Sequence, residues 1–302
     1  MREPVTLPWG EVEALARRPG TLTWATPRAR SVLRWSEARW IDSEAPMPGA
    51  QALIAVGGGA HLDFVKRRWR ATGATRLVAV PTIWGRGAEA SPVAVWTEAG
   101  QKRFSMSEAL RPDAMAFFDG FAATLSLEQV RAACGDTWAH ALEGFLSPLA
   151  TDALRAELAA LVGELFALPI AADPRWFPVS ARAAAGQAEA SVGLVHGLAH
   201  VLEPRVSGAQ HATLCAAFLA PVLKFNAASS EKWGVLTRQY GLDADAVLER
   251  VSGLATSEAR RALAPHVSAS WKLVLRDPCT RTNSALVRPD SLPAFLALLE
   301  AP

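Results

Sequence analysis

Asp136 and His140 in GDTWAH, His196 and His200 in VHGLAH, and His211 in GAQH fall at spacings that can close a metal site. Residues four apart lie one turn above each other on the same face of a helix, so each of the first two segments can aim two ligands at one point. His211 follows the turn-like stretch PRVSG, which can fold it back onto that point. One carboxylate with neutral imidazoles suits a borderline divalent ion, Fe²⁺ or Zn²⁺, better than Ca²⁺ or Mg²⁺, which prefer oxygen. A single histidine pair on an apolar helix is ordinarily a hydrogen-bonded core pair. Two pairs with a fifth partner in one short stretch favour a metal centre.

The elements that must position these residues change character near residue 125. Before it, TLTWAT, QALIAVGGG, TRLVAVPT, SPVAVWTEAG and QKRFSM are short β-like runs, separated by turn residues and by helical stretches such as HLDFVKRRWRATG. That alternation predicts an α/β half with a mostly parallel sheet. After it the pattern is helical almost throughout. SLEQVRAACGDTWAHALEGFLSP opens with a capping box, Ser126 and Gln129, and stops before Pro148. Further helices are expected over TDALRAELAALVGELFAL, 179–203, 211–226, 243–254, 256–264 and the final SLPAFLALLE. The expected organisation is an α/β nucleotide-binding domain over 1–124, a helical metal-binding domain over 125–302, and a cleft between them.

Three glycines, Gly57, Gly58 and Gly59, follow an apolar strand directly and precede a helix. Such a turn lets the backbone approach a phosphate closely, while the free N–H groups of the helix start supply donors. It is not the GxGxxG dinucleotide pattern, and GGG alone also serves as a tight strand-to-helix turn. Thr82, Gly85 and Gly87 follow the next strand, and so belong at the carboxyl edge of the same sheet, where ligands of open α/β sheets bind.

Half of the 302 residues are hydrophobic, enough for a large core, and the formal charge is only +2. The basic residues are scattered, which argues against a nucleic-acid partner. No apolar run reaches the ~20 residues that span a bilayer, and the N-terminal segment lacks a signal peptide's apolar centre, so a cytoplasmic location without membrane attachment is expected. Cys134, Cys215 and Cys279 are odd in number, widely spaced and without CxxC, which speaks against a disulfide framework or a cysteine zinc site.

Taken in order, these segments resemble the iron-containing alcohol dehydrogenases, a family related to dehydroquinate synthase. VGGGAHLDFVK is similar to the family's GGGSxxDxxK, PTIWGRGAEASPVAV to PTTxGTGSExxxxAV, and GDTWAHALEG to DxxxHxxE. GLVHGLAHVLEPRVSGAQHATLCAAFLAPVLKFN is similar to GLxHxxAHxLGxxxxxPHGxxNAxxLPxxxxFN. The resemblance covers roughly residues 50 to 226. It implies a dehydroquinate synthase-like fold, a metal (Fe²⁺ or Zn²⁺) held by Asp136, His140, His196 and His211, and NAD or NADP as the redox partner. It implies His200 as a non-ligand histidine near nicotinamide and substrate, suited to proton relay. Gly58, Gly59 and Ala60 would meet the cofactor pyrophosphate, with Asp63, Thr82 and, more loosely, Lys102 on the cofactor side. The implied reaction oxidises a hydroxyl, or reduces a carbonyl, by hydride transfer, in a dimer or larger assembly.

The chain departs from the family in ways that bear on its substrate. The segment before GGG is short, Ala60 replaces the usual Ser, and Ile83, Trp84 and Arg86 replace small loop residues, which would narrow or recharge the site, Trp84 serving equally well as a packing aromatic. Arg86 can pair with a substrate carboxylate or a cofactor phosphate. The expected substrate is therefore specialised, a small molecule or a peptide. One such case is a β-hydroxy acid, for instance the C-terminal Thr of a daptide-class peptide, whose β-keto product loses CO₂. The competing readings are a non-redox lyase or cyclase of the dehydroquinate synthase type and a non-catalytic scaffold. A zinc peptidase is disfavoured because Gly197 stands where HExxH needs its glutamate.

Overall fold

The computed structural model describes residues 3–301, the side chain of Gln101 apart. Parallel strands occupy the first part: β1 (Val5–Thr6), β2 (Thr21–Ala25), β3 (Trp40–Ile41), β4 (Ala52–Gly57) and β5 (Arg76–Pro81). A hairpin of β6 (Val93–Glu98) and β7 (Gln101–Met106) follows, then β8 (Ala114–Met115). The main sheet runs β1-β8-β5-β4-β2-β3, with all pairings parallel. Its central strands are buried along their length, Leu53, Ile54, Val56, Val78 and Val80 being fully inaccessible, as continuous apolar runs covered on both faces require. SPVAV and QKRFSM do not join this sheet. They pair antiparallel with each other in a separate two-stranded sheet whose first strand lies against α3.

The covering helices in this part are α1 (Trp9–Ala16), α2 (Pro27–Leu33) and α3 (Gly59–Lys66). Helices then dominate: α4 (Leu127–Leu146), α5 (Asp152–Ala167), α6 (Trp176–Ala190), α7 (Leu194–Leu202), α8 (His211–Ser229), α9 (Lys232–Tyr240), α10 (Ala244–Ser252), α11 (Ser257–Val274) and α12 (Leu292–Glu300). The capping box at Ser126 is formed as expected: its hydroxyl accepts from Gln129 N–H, and the Gln129 side chain accepts from Ser126 N–H.

One sequence expectation changes here. The single helix expected over 179–203 is two helices, because Ser191 takes φ 68° and ends α6. This break reorients α7 and with it His196. Among the described residues, α8 alone is long and apolar enough to cross a membrane by length and composition. It carries Pro221 and is mostly buried, packed along α4, which marks it as the central core helix of the bundle.

A candidate metal centre at the floor of a cleft

The central helix pair α4 and α8 approaches closely because Gly135 has no side chain. A Cβ there would stand 2.4 Å from the Ala216 Cβ and 2.6 Å from its Cα. The residues flanking this contact are thereby pressed together, Asp136 from α4 against His211 and Cys215 from α8. His140 lies one turn along α4, and α7 brings in His196 from the side.

Three imidazoles converge on one carboxylate oxygen. Asp136 Oδ1 lies 3.5 Å from His196 Nε2, 3.8 Å from His211 Nε2 and 3.9 Å from His140 Nε2. Asp136 is 1% exposed, His196 3% and His140 5%. Asp136 Oδ1 and His196 Nε2 are buried without a hydrogen-bond partner. Buried polar atoms almost always find partners, so a set of orphans pointing at one another marks a place for an ion. Their spacing fits that role: around an ion with bonds of ~2.0–2.1 Å, neighbouring tetrahedral ligands sit about 3.4 Å apart. Asp136, His196, His211 and Cys215 form one mutually close set of donor atoms, with His140 at its edge.

Outer carboxylates fix the rings. Glu143, one turn beyond His140 on α4, accepts from His196 Nδ1 at 2.7 Å and from Val195 N at 2.7 Å, leaving His196 Nε2 to face Asp136. Glu203 stands 3.6 Å from His211 Nδ1 and forms an ion pair with Lys102 of β7 at 2.9 Å. Burial lowers His140 to about 3 and His211 to about 4, favouring the neutral rings that bind metals. For His196, burial is outweighed by the nearby Asp136 carboxylate and the hydrogen-bonded Glu143, which raise it to about 9. Burial also acts against ionised Asp136 and Glu203. The three surrounding histidines nevertheless hold Asp136 well below the usual range, and His211 and Lys102 bring Glu203 to about 2.

His200, one turn after His196, does not join this centre in the same way. Its Nδ1 lies 3.7 Å from both Asp277 Oδ2 and Cys279 Sγ, contributed by the loop after α11. Its ring stacks on His211 at 5.4 Å between centroids. It therefore bridges the candidate metal centre and a second, partly exposed cluster, His200, Asp277 and Cys279.

Both groups open into a cleft of about 390 Å³. His140, His196, His200 and His211 line it together with Asp63, Arg86 and the hairpin residues Val95, Phe104 and Met106. Gly58 caps α3 and Gly59 begins it. A Cβ on Gly59 would strike the Arg86 side chain at 2.3 Å, so Arg86 lies directly over the turn. Its Nε donates to Asp63 at 3.3 Å, and Arg86 keeps 23% of its side chain exposed. Asp63 is buried and also holds Lys66, whose ammonium donates to the carbonyls of Ala88, Ser91 and Val93. Thr82 N donates to Gly57 O, and Gly85 N donates to Ser180 Oγ, which ties the Arg86 loop to α6.

The structure thus gathers Asp136, His140, His196 and His211 at one point, with His200 adjacent. Gly58, Gly59, Asp63, Thr82 and Arg86 collect at the strand ends, and Ala60 and Lys102 line a neighbouring shallow cleft. Of its two readings, Trp84 takes that of a packing aromatic. It is 2% exposed and packs on Trp176 and Phe177 in the core. Sequence reasoning missed Glu143, Glu203 and Cys215. Glu143 was visible in the DxxxHxxE motif and Cys215 lies four residues after His211, whereas nothing local to Glu203 announces its contact with Lys102.

Residues 43–133 match the family model of iron-containing alcohol dehydrogenase. The chain is 28% identical over 276 residues to lactaldehyde reductase of Escherichia coli K12, covering 82% of this chain and 70% of that protein. Its fold superposes on an iron-containing alcohol dehydrogenase from Thermococcus thioreducens with a TM-score of 0.77 at 18% identity, over 99% of this chain and 98% of the other. A sulfoacetaldehyde reductase from Bifidobacterium kashiwanohense, solved in complex with NAD⁺, superposes with a TM-score of 0.73 at 16% identity, over 99% and 98%. Part of the chain thus matches the family model of the iron-containing alcohol dehydrogenases, and the whole chain has the fold of the solved iron-containing alcohol dehydrogenase it superposes on.

Proposed function

We propose that this protein is an iron-dependent, nicotinamide-linked alcohol dehydrogenase, in which Asp136, His140, His196 and His211 hold the metal. The observation that carries this reading is the convergence of three imidazoles on the buried, unpartnered Asp136 Oδ1 at the floor of a cleft. Likeness to lactaldehyde reductase, and to a reductase solved with NAD⁺, supports the same reaction class.

When bound, the metal supplies Lewis acidity toward a hydroxyl or carbonyl oxygen, and the nicotinamide supplies or accepts hydride. The chain's own residues do the rest. The backbone N–H groups at Gly59 and Ala60 begin α3, where the helix dipole favours a pyrophosphate. His200 faces the cleft and stands 3.7 Å from Asp277, so it can carry the substrate's hydroxyl proton away from the cleft during oxidation and return it during reduction. The hairpin residues Val95, Phe104 and Met106 give the cleft apolar surface on which a substrate's carbon skeleton can rest.

Arg86 directs substrate choice in this reading. A guanidinium held by Asp63, still partly exposed, between the glycine turn and the histidines favours a small hydroxy acid or its keto counterpart over an uncharged short alcohol. A β-hydroxy acid, including a peptide's C-terminal one, is one member of that class.

Calorimetric titration of the Fe²⁺-loaded protein with NAD(H) and NADP(H), with His211→Ala as the metal-site control, tests the reading. Saturable binding of one nucleotide, followed by turnover of a hydroxy acid that His211→Ala abolishes, is expected. Stoichiometric metal without nucleotide binding at millimolar concentration would overturn it.

A further inference from the structure

We infer that Cys215 is a ligand of this metal centre, so that the site carries a sulfur donor beside its carboxylate and imidazoles. The inference rests on the proposed metal site and extends it. Cys215 is fully buried, one helical turn beyond His211 on the same face of α8. Its Sγ lies 3.6 Å from His211 Nε2, and the donor atoms of Asp136, His196, His211 and Cys215 all fall within 4.8 Å of one another. Metal–nitrogen bonds of ~2.1 Å and metal–sulfur bonds of ~2.3 Å put neighbouring donors about 3.1–3.8 Å apart at bond angles of roughly 90–120°, a range that includes the 3.6 Å between His211 and Cys215.

An independent observation points to a ligand at this place. Asp136 Oδ1 and His196 Nε2 are buried, lack hydrogen-bond partners and face the same point. A buried thiol among apolar neighbours needs no explanation, but one that completes a set of orphaned donors acquires one. The residue is also a departure of this chain: the motif PHGxxNA, which its HATLCA resembles, has asparagine at the position of Cys215. On binding, the thiol passes its proton to solvent and the thiolate takes the coordination position.

A sulfur donor softens the site. Thiolate selects zinc, cobalt and ferrous iron over manganese and magnesium, which prefer oxygen. The metal this protein retains is therefore expected to resist exchange for manganese.

Cobalt is the probe. Co²⁺ would be loaded into the full-length wild type, Cys215→Ser, Cys215→Ala, Cys134→Ser and Cys279→Ser, with cobalt content measured on each. A near-ultraviolet thiolate-to-cobalt charge-transfer band is expected in the wild type, Cys134→Ser and Cys279→Ser, and is expected to vanish in both Cys215 variants. X-ray absorption on zinc-loaded wild type, which needs no variant to fold, should find one sulfur neighbour at about 2.3 Å. Cobalt bound at one equivalent without the band, and zinc without a sulfur neighbour, would overturn the inference and leave the metal site standing. A band lost in Cys279→Ser but kept in Cys215→Ser would also overturn it, moving the sulfur to the His200 cluster. Failure of the wild type to take up cobalt or zinc would overturn the underlying metal reading itself.

Discussion

Glu143 accepts a 2.7 Å hydrogen bond from His196 Nδ1, with both side chains buried and each contributed by a different helix. This contact fixes the ring's orientation and aims Nε2 at Asp136. The other carboxylate oxygen caps Val195 N at the start of α7, so one residue sets both the helix and the ligand it carries. Replacing Glu143 by Gln keeps the shape and removes the charge that makes His196 a better donor. Metal affinity, measured by competition with a chromophoric chelator, is expected to fall about 10–100-fold. An unchanged affinity would show that the contact serves folding alone.

The α4–α8 contact predicts a steric effect on metal binding. A methyl group on Gly135 must displace Ala216, so Gly135→Ala should destabilise the protein by about 1–3 kcal/mol and weaken metal binding as the helices part. Gly10→Ala is the control, because nothing lies within 4 Å of its added Cβ. Thermal melts and metal titrations on both variants check this, and equal behaviour of the two would refute it.

Arg86→Ala should discriminate between substrate and cofactor. A charge-assisted hydrogen bond contributes about 1.5–3 kcal/mol, so KM for an anionic hydroxy acid is expected to rise roughly 10–100-fold while the nucleotide Kd changes little. Steady-state kinetics with the acid and with its amide, alongside nucleotide titration, provide the test. Equal losses for acid and nucleotide would assign Arg86 to the cofactor phosphate instead.

Glu89 predicts a pH dependence of stability away from the metal ligands. It is 1% exposed, its Oε1 lacks a partner, and burial raises its carboxyl to about 7 against an opposing pull from Lys66. A group whose pKa is raised on folding contributes fully below its unfolded value of 4.5 and loses that contribution as pH rises through about 7. Glu89→Gln removes the loss. Its melting temperature relative to wild type is expected to climb between pH 5 and pH 8, by the equivalent of roughly 1–3 kcal/mol. A difference that stays flat across that range would show Glu89 ionised throughout, compensated by Lys66.

Much of the candidate site was legible because its ligands come in local pairs. Asp136 and His140 share a helix face by spacing alone, the Ser126 capping box marks the start of that helix, and the glycines after β4 announce a strand-to-helix turn. Periodicity encodes which side chains face one way within an element, and that information lies within a few residues.

What periodicity leaves open is which elements meet. His196 and His200 are equivalent by spacing, yet Glu143, from a different helix, points the first at Asp136, while Asp277 and Cys279, over seventy residues later, engage the second. The break at Ser191 that frees α7 to take that orientation depends on a backbone conformation the apolar pattern of 179–203 hides. Trp84 likewise has the composition of a cleft residue and the position of a core one, because Trp176 and Phe177 cover it. The sequence by itself determined the candidate ligand types, their helix faces and the glycine turn between strand and helix. Only tertiary packing, through the close passage of α4 and α8 at Gly135 and Ala216, decided that these faces share one point and that Cys215 lies beside it.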